Sequence, residues 1–309
     1  MNYFNQIQFE FTKIALNWDD LSLKQQQFYL KKHPKSKKHI TAKPKAYKSV
    51  ELLSSIIKDS PWKNKAFLAG GFVRDSILGK PSKDIDVTVE AHNGGIELAK
   101  YISEKLNIRE PVIFPTFGTA KIQLPNGYEI EFVQTRTEEY MKGSRKPQTS
   151  YGSLKDDVKR RDFTINTLLL DLTTGKILDV TGKGLNDLKQ GIIRTPLDPD
   201  ATFKDDPLRM MRAIRFSTKY GFELDDEIMP SLKKNAKELK NISMERIHDE
   251  FNKILLTDQP SKGLSILMDT GLLNQFIPEL KDLRGLEQGK YHDRDICERP
   301  DYRAHQPQS

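Results

Sequence analysis

The chain has 309 residues, 37% of them hydrophobic and 30% charged, a composition expected of a globular, water-soluble protein with two or three modest units. Fifty basic against forty-three acidic residues give a net charge of +7, which suits a polyanionic partner and many ordinary basic proteins alike. The single cysteine, Cys297, excludes an internal disulfide framework and a multi-cysteine zinc site, and with no bilayer-length apolar run and no secretory order in the first residues, a cytoplasmic protein away from membranes is expected.

Residues 1–49 read as an amino-terminal extension. Between Lys31 and Lys48 it carries eight lysines and no acidic side chain, interrupted by Pro34 and Pro44. Such a run is a solvated tether or an RNA-contacting arm. Val50 to Ile57 fits one helical face. Strands are then predicted over Lys65–Ala69, Ile85–Val89, Ala120–Leu124, Tyr128–Val133 and Thr167–Leu170, with helices over Val73–Leu78 and Gly95–Leu106. Together, residues 50–196 predict an α+β head built on an antiparallel or mixed sheet.

Beyond Asp198 the periodicity turns helical. Asp206 to Tyr220 predicts a helix, Ser243 stands at the N-cap position of a helix from Met244 to Leu256, and Ser261 to Leu273 favours helices again. We read residues 197–257 as a helical neck and 258–309 as a short helical body and tail.

Gly70 and Gly71 close the first strand just before Phe72-Val73-Arg74-Asp75. A glycine pair permits a tight strand-to-helix turn and close backbone approach to phosphate, and also plain tight packing. Asp84-Ile85-Asp86 opens the next strand; residues two apart share a face, so both carboxylates can meet divalent cations while Ile85 enters the core. Alone, the pair reads equally as a turn cap and a solvated side chain. Mg²⁺ prefers carboxylate and phosphate oxygens, and two ions can serve the attacking hydroxyl and the leaving group of a phosphoryl transfer.

GGFVRDSILGKPSKDIDVTVE resembles the signature of the class II tRNA nucleotidyltransferase (CCA-adding enzyme) and bacterial poly(A) polymerase family. The likeness continues through SLKDDVKRRDFTINTLLLDL, GLNDLKQGIIR, DDPLRMMRAIRFSTKYGF and ISMERIHDEFNKILL, covering about Phe67 to Leu256. It implies a polymerase-beta-like nucleotidyltransferase head, a helical neck and a helical body. It also implies two catalytic Mg²⁺ ions on Asp84 and Asp86, with Glu131 in EFVQTRTEEY as a third carboxylate, although Glu129 shares its facing direction.

The resemblance further assigns Gly70, Gly71 and Arg74 to nucleotide binding, together with Arg160, Arg161, Asp162 and Asn166. Guanidinium groups suit a triphosphate, though by spacing alone Arg160 and Arg161 also fit a solvated face. Asp206 and Arg209, three apart on the predicted neck helix, form either an intrahelical ion pair or a base reader. A carboxylate acceptor beside an arginine donor complements the Watson–Crick edges of cytosine and adenine, and the family uses the matching pair as a protein template for CTP and ATP. Arg212 and Arg215 continue that nucleotide-binding helix.

The expected activity is therefore addition of C, C and A from CTP and ATP to the 3′ end of tRNA, with no protein partner called for. CC-only or A-only addition, poly(A) synthesis and a noncatalytic RNA-binding scaffold are the alternatives. FPTFGTAKI resembles the CCA-adding side of the family, and TRTEEYMKGSRKPQTSYGS resembles its mobile loop. Only about fifty residues follow the neck, fewer than many relatives use to hold the far part of tRNA.

Overall fold

The computed structural model describes residues 45–80, 82, 84–139 and 148–283. The lysine-rich arm up to residue 44, the centre of the expected mobile loop and the segment from 284 onward, with Cys297, lie outside the described residues. The chain divides into two compact units, the first covering residues 45–190 with 194–197 and the second 191–193 with 198–283.

The first unit begins with Lys45–Ile57 (α1), Ala66–Ala69 (β1), Gly71–Ile77 (α2), Ile85–Val89 (β2) and Gly94–Leu106 (α3). Val112–Phe114 (β3), Thr119–Gln123 (β4) and Glu129–Gln134 (β5) follow, then the hairpin of Arg136–Glu139 (β6) and Gln148–Tyr151 (β7). Leu154–Lys159 (α4), Leu169–Asp171 (β8), Ile177–Leu178 (β9) and Gly184–Gln190 (α5) complete it. Seven strands form one mixed sheet in the order β3-β4-β5-β2-β1-β8-β9. Within it β2 and β5 run parallel and the other pairs antiparallel.

All four side chains of β1 are buried, as befits an apolar strand near the middle of a covered sheet. One face of β2, β5 and β4 is closed by α3. A Cβ added at Gly95 would stand 2.6 Å from the Gly118 carbonyl oxygen and 2.8 Å from that of Phe132, so the helix rests on bare backbone. On the opposite face α4 covers only the β1–β8 side, through a small core of Phe67, Ala69, Val158 and Leu169. Among the described residues the same face of β2, β5, β4 and β3 stays open.

The expected strands fall close to the observed ones, with one informative difference. β2 spans Ile85–Val89 as expected, with Asp84 immediately ahead of the strand. β8 starts at Leu169 rather than Thr167, because Thr164–Asn166 form a 3₁₀ turn in which the Thr167 hydroxyl donates to the Thr164 carbonyl at 2.6 Å. Strand β3 and helix α4 lie outside the expected elements.

The second unit contains Ile192–Ile193 (β10), Pro199–Asp205 (α6), Leu208–Tyr220 (α7), Glu223–Leu224 (β11), Ile228–Asn235 (α8), Met244–Leu255 (α9) and Pro260–Asp269 (α10). It is helical as expected, with a short parallel β10–β11 pair in addition. Helices α9 and α10 pack on α7, whose Met210, Met211, Ala213, Ile214 and Ser217 are buried. The helix expected from Asp206 starts instead at Leu208. Asp206 has extended backbone, φ −141° and ψ 99°, since a following proline disfavours the helical region for the residue before it. Ser243 does occupy the N-cap of α9, without a side-chain capping hydrogen bond.

Gly95→Ala is expected to lower the unfolding free energy by about 1–3 kcal/mol, the range for forcing atoms into a filled interface. Urea unfolding checks this; an unchanged midpoint would mean that α3 lifts from β5 without cost.

Candidate active site

The open face of the sheet is organised by register. Direct partners across β3, β4, β5 and β2 line up Val112, Lys121, Glu131 and Asp86 in one row. The next row holds Phe114, Thr119, Val133 and Thr88. All of these residues but Val112 share a cleft of about 640 Å³ with Ala69, Phe117, Arg136, Arg160 and Arg161.

Three carboxylates converge at one end of the first row. Asp86 is paired with Glu131 across the parallel β2–β5 boundary, and Asp84 precedes it by two residues with Ile85 buried between them. Although open to solvent in the cleft, the Asp86 carboxyl is pushed up to about 6, first by desolvation among the surrounding protein atoms and then by the negative charges of Glu131 and Asp84. Arg161 and Lys121 pull the other way. Glu129, the competing candidate, faces Gln123 and is held by Lys121 at 2.8 Å, while Lys121 reaches Glu131 at 3.4 Å. Register therefore places Glu131, not Glu129, beside Asp86.

Among the described residues no three His, Cys, Asp or Glu side chains form a ready-made metal cage. The donor set nevertheless fits Mg²⁺, which keeps several waters and binds through one or two carboxylates plus substrate phosphates. Crowded like charges on Asp84, Asp86 and Glu131 are what a divalent cation relieves.

The two adjacent arginines are positioned by a residue that sequence reasoning missed. Asp157 is 1% exposed and accepts hydrogen bonds from Arg160 Nε at 3.0 Å and Arg161 Nη2 at 2.9 Å. Burial alone would raise its pKa, but the paired guanidinium charges of Arg161 and Arg160 outweigh this and hold it below the ordinary value. The i,i+3 and i,i+4 spacing of Asp157 to Arg160 and Arg161 was the available signal. Helix α4, which carries Asp157, is started by a capping box in which Ser153 and Asp156 exchange hydrogen bonds.

From this anchor Arg161 donates to the Thr88 hydroxyl at 3.1 Å and to the Asn166 carbonyl at 3.2 Å. Its Nη1 also lies 3.5 Å from where a Gly70 Cβ would be. Gly70 itself adopts φ 61° and ψ −120°, a turn conformation that only glycine takes readily. It is followed directly by Gly71, the first residue of α2.

Arg74 is placed differently from the expectation of a phosphate contact. It is 5% exposed, donates to Asp75 at 2.8 Å and donates to the Asn166 side-chain oxygen. Asn166 in turn donates to Asp162 at 2.9 Å, and Asp162 accepts the Phe163 N–H at 2.8 Å. Arg74, Asn166 and Asp162 thus form one buried network beneath the glycine turn.

In the second unit Asp206 lies just ahead of α7 and Arg209 in its first turn, with the Arg209 N–H donating to the Asp206 carbonyl at 3.0 Å. The Asp206 carboxylate accepts the Leu208 N–H at 3.2 Å and meets Arg246 at 3.4 Å. Arg212 lies over the Phe216 ring, 5.4 Å from its centroid. Arg215 is engaged in packing, with its guanidinium 4.2 Å from the same ring centroid and donating to buried Glu250 at 2.6 Å.

Asp157→Ala is expected to lower stability at pH 7 by about 3 kcal/mol, the scale for stranding buried charge. Because the folded carboxyl titrates below its unfolded value, its contribution is present above about pH 4 and fades as pH falls through the lower folded value. The deficit in urea unfolding should shrink accordingly in acid. A pH-independent deficit would exclude the charge pairing as its source.

Comparison with known proteins identifies the family. Residues 66–194 match the "Poly A polymerase head domain" and residues 221–283 match the "Probable RNA and SrmB- binding site of polymerase A". The mitochondrial CCA tRNA nucleotidyltransferase of Saccharomyces cerevisiae is 36% identical over 225 residues, 67% of this chain and 41% of that protein. A CCA-adding enzyme of Thermotoga maritima complexed with tRNA superposes with a TM-score of 0.66 at 28% identity, covering 79% of this chain and 55% of that one. A complex of CCA-adding enzyme with CTP gives 0.64 at 30% identity, covering 77% and 53%. The chain spans about half the length of the curated relatives it matches. On its mixed-sheet head and on both matched segments, the chain belongs to the tRNA nucleotidyltransferase and poly(A) polymerase family.

Proposed function

We propose that this chain adds C, C and A to the 3′ end of tRNA, using CTP and ATP and releasing pyrophosphate, without a template. The observation that carries the reading is the pairing of Asp86 with Glu131 on the open sheet face, with Asp84 beside them and Arg160 and Arg161 lining the same cleft. Solved CCA-adding enzymes complexed with tRNA, CTP and ATP support the substrate assignment.

Asp84 and Asp86 would hold two Mg²⁺ ions, with Glu131 as a supporting carboxylate. When bound, such ions favour ionisation of the RNA 3′ hydroxyl and offset charge on the phosphates. Arg161 and Arg160, held by Asp157, clamp the triphosphate, and the side-chain-free turn at Gly70 and Gly71 lets its oxygens approach backbone. Arg74 acts through Asn166, keeping Asp162 and its neighbours in place for the ribose. The hydroxyl then attacks the α-phosphorus and pyrophosphate departs, so orientation and charge stabilisation are the protein's contribution.

Asp206 and Arg209 supply an acceptor and a donor that match the edges shared by cytosine and adenine. Arg212 and Arg215 continue along the same helix, packed over the Phe216 ring. No helix among the described residues is long and apolar enough to cross a membrane, and we assign the activity to the cytoplasm.

Purified protein given a tRNA lacking its terminal triplet, Mg²⁺ and mixed NTPs should add C, C and A, read by product sequencing. Long A tails on unstructured RNA would instead make it a poly(A) polymerase. Asp84→Ala or Asp86→Ala should each cut incorporation by at least about 100-fold, the scale of losing one group that stabilises developing charge, while tRNA binding persists.

Mg²⁺ should also raise the thermal midpoint of the wild-type chain over that in chelator, since a ligand that binds only the folded state stabilises it. The double variant Asp84→Ala/Asp86→Ala should show no such rise. Equal stabilisation of both proteins would place the ion elsewhere.

A further inference from the structure

At the far end of the cleft from the carboxylates two phenyl rings stand open, Phe114 on edge strand β3 at 41% exposure and Phe117 in the following 3₁₀ turn at 55%. Apolar side chains displayed on an edge strand invite unwanted pairing. Both rings line the cleft that also holds Lys121, Arg136 and Arg161. Flat aromatic surfaces among cations form the combination by which proteins hold single-stranded nucleic acid, with bases stacked on rings and phosphates tracked by positive charge. From this we infer that Phe114 and Phe117 form a stacking platform for an unpaired base of the RNA acceptor, just upstream of the 3′ end that reacts.

The inference rests on the proposed nucleotidyl transfer and names the element that would position its RNA substrate. Register supplies the spacing. From β2, where Asp86 lies, to β3 there are three strand intervals through β5 and β4, roughly 14 Å at about 4.8 Å each. Groups at Asp86 serve the reacting phosphate, so rings that far along the cleft take a base from a preceding nucleotide. The incoming base is assigned to Asp206 and Arg209. Stacking is tolerant of base identity because every base has a π face, which suits an acceptor whose terminal base differs between the first addition and the later ones.

The test uses the full chain and three double variants, Phe114→Ala/Phe117→Ala, Phe114→Leu/Phe117→Leu and Phe114→Tyr/Phe117→Tyr. The probe is an RNA hairpin with an unpaired 3′ extension carrying 2-aminopurine, whose fluorescence is quenched on stacking. Wild type and the tyrosine variant should quench the probe, whereas the leucine and alanine variants should not. The alanine variant should lose at least about fivefold in RNA affinity, the weak end of base–aromatic stacking effects, with the KM for RNA rising and the KM for CTP unchanged. Undiminished quenching in the leucine and alanine variants would overturn the platform. So would a rise in KM for CTP alone, which would assign the rings to the incoming base. The quenching needs no turnover, so a wild-type chain that quenches the probe yet incorporates nothing refutes the activity and leaves the platform standing.

Discussion

The cleft depends on the register of one parallel pair, β2 with β5. Their partners run Ile85 with Ile130, Asp86 with Glu131 and Val87 with Phe132, so apolar residues meet behind the sheet and carboxylates meet in front of it. Slipping that pairing by one residue would turn Asp86 inward and an apolar side chain into the cleft. Like charges opposed on neighbouring strands are ordinarily unfavourable. Here the arrangement is carried by the buried ladder of Ile85, Val87, Ile130 and Phe132 on the reverse side, and eased by Lys121 and Arg161 on the front.

A second layer of organisation surrounds Asp157. One buried carboxylate orders two arginines, and through Arg161 the order extends to Thr88 and to the carbonyl of Asn166. Arg74 meets Asn166 from the side of the glycine turn. The segments contributing strand β2, the turn at Gly70 and the stretch from Arg160 to Asn166 are distant in sequence but share one hydrogen-bonded frame. Charge-assisted hydrogen bonds in such a protected setting hold geometry more firmly than the same groups on a surface would.

Much of the head was legible from residue patterns. The apolar runs of β1, β2, β4 and β5 announced themselves, and Asp84-Ile85-Asp86 showed its two carboxylates with an apolar residue between. What could not be read were properties of partners. Glu129 and Glu131 share a strand face, and only the pairing with β2 distinguishes them. Arg74 looked like a phosphate ligand beside the glycine turn, whereas its guanidinium faces Asp75 and Asn166 inside the fold. Strand β3, three residues before Pro115, was too short to show alternation, and α4 was too short and charged to show a helical stripe. Its Ser153 and Asp156 did carry a capping signal that a closer reading finds. At Asp206 the expected helix start came two residues early, because Pro207 disfavours the helical region for the residue before it.

The contact at Gly95 bears on how the cleft accommodates change. At Gly95, where α3 rests on the carbonyls of Gly118 and Phe132, no side chain stands between helix and sheet to change rotamer and yield. The back wall behind β4 and β5 is thus pinned at that point. Adjustment of the cleft is therefore easier along its rim, at the edge strand β3 and at Arg136 of β6, than in the floor beside Gly95.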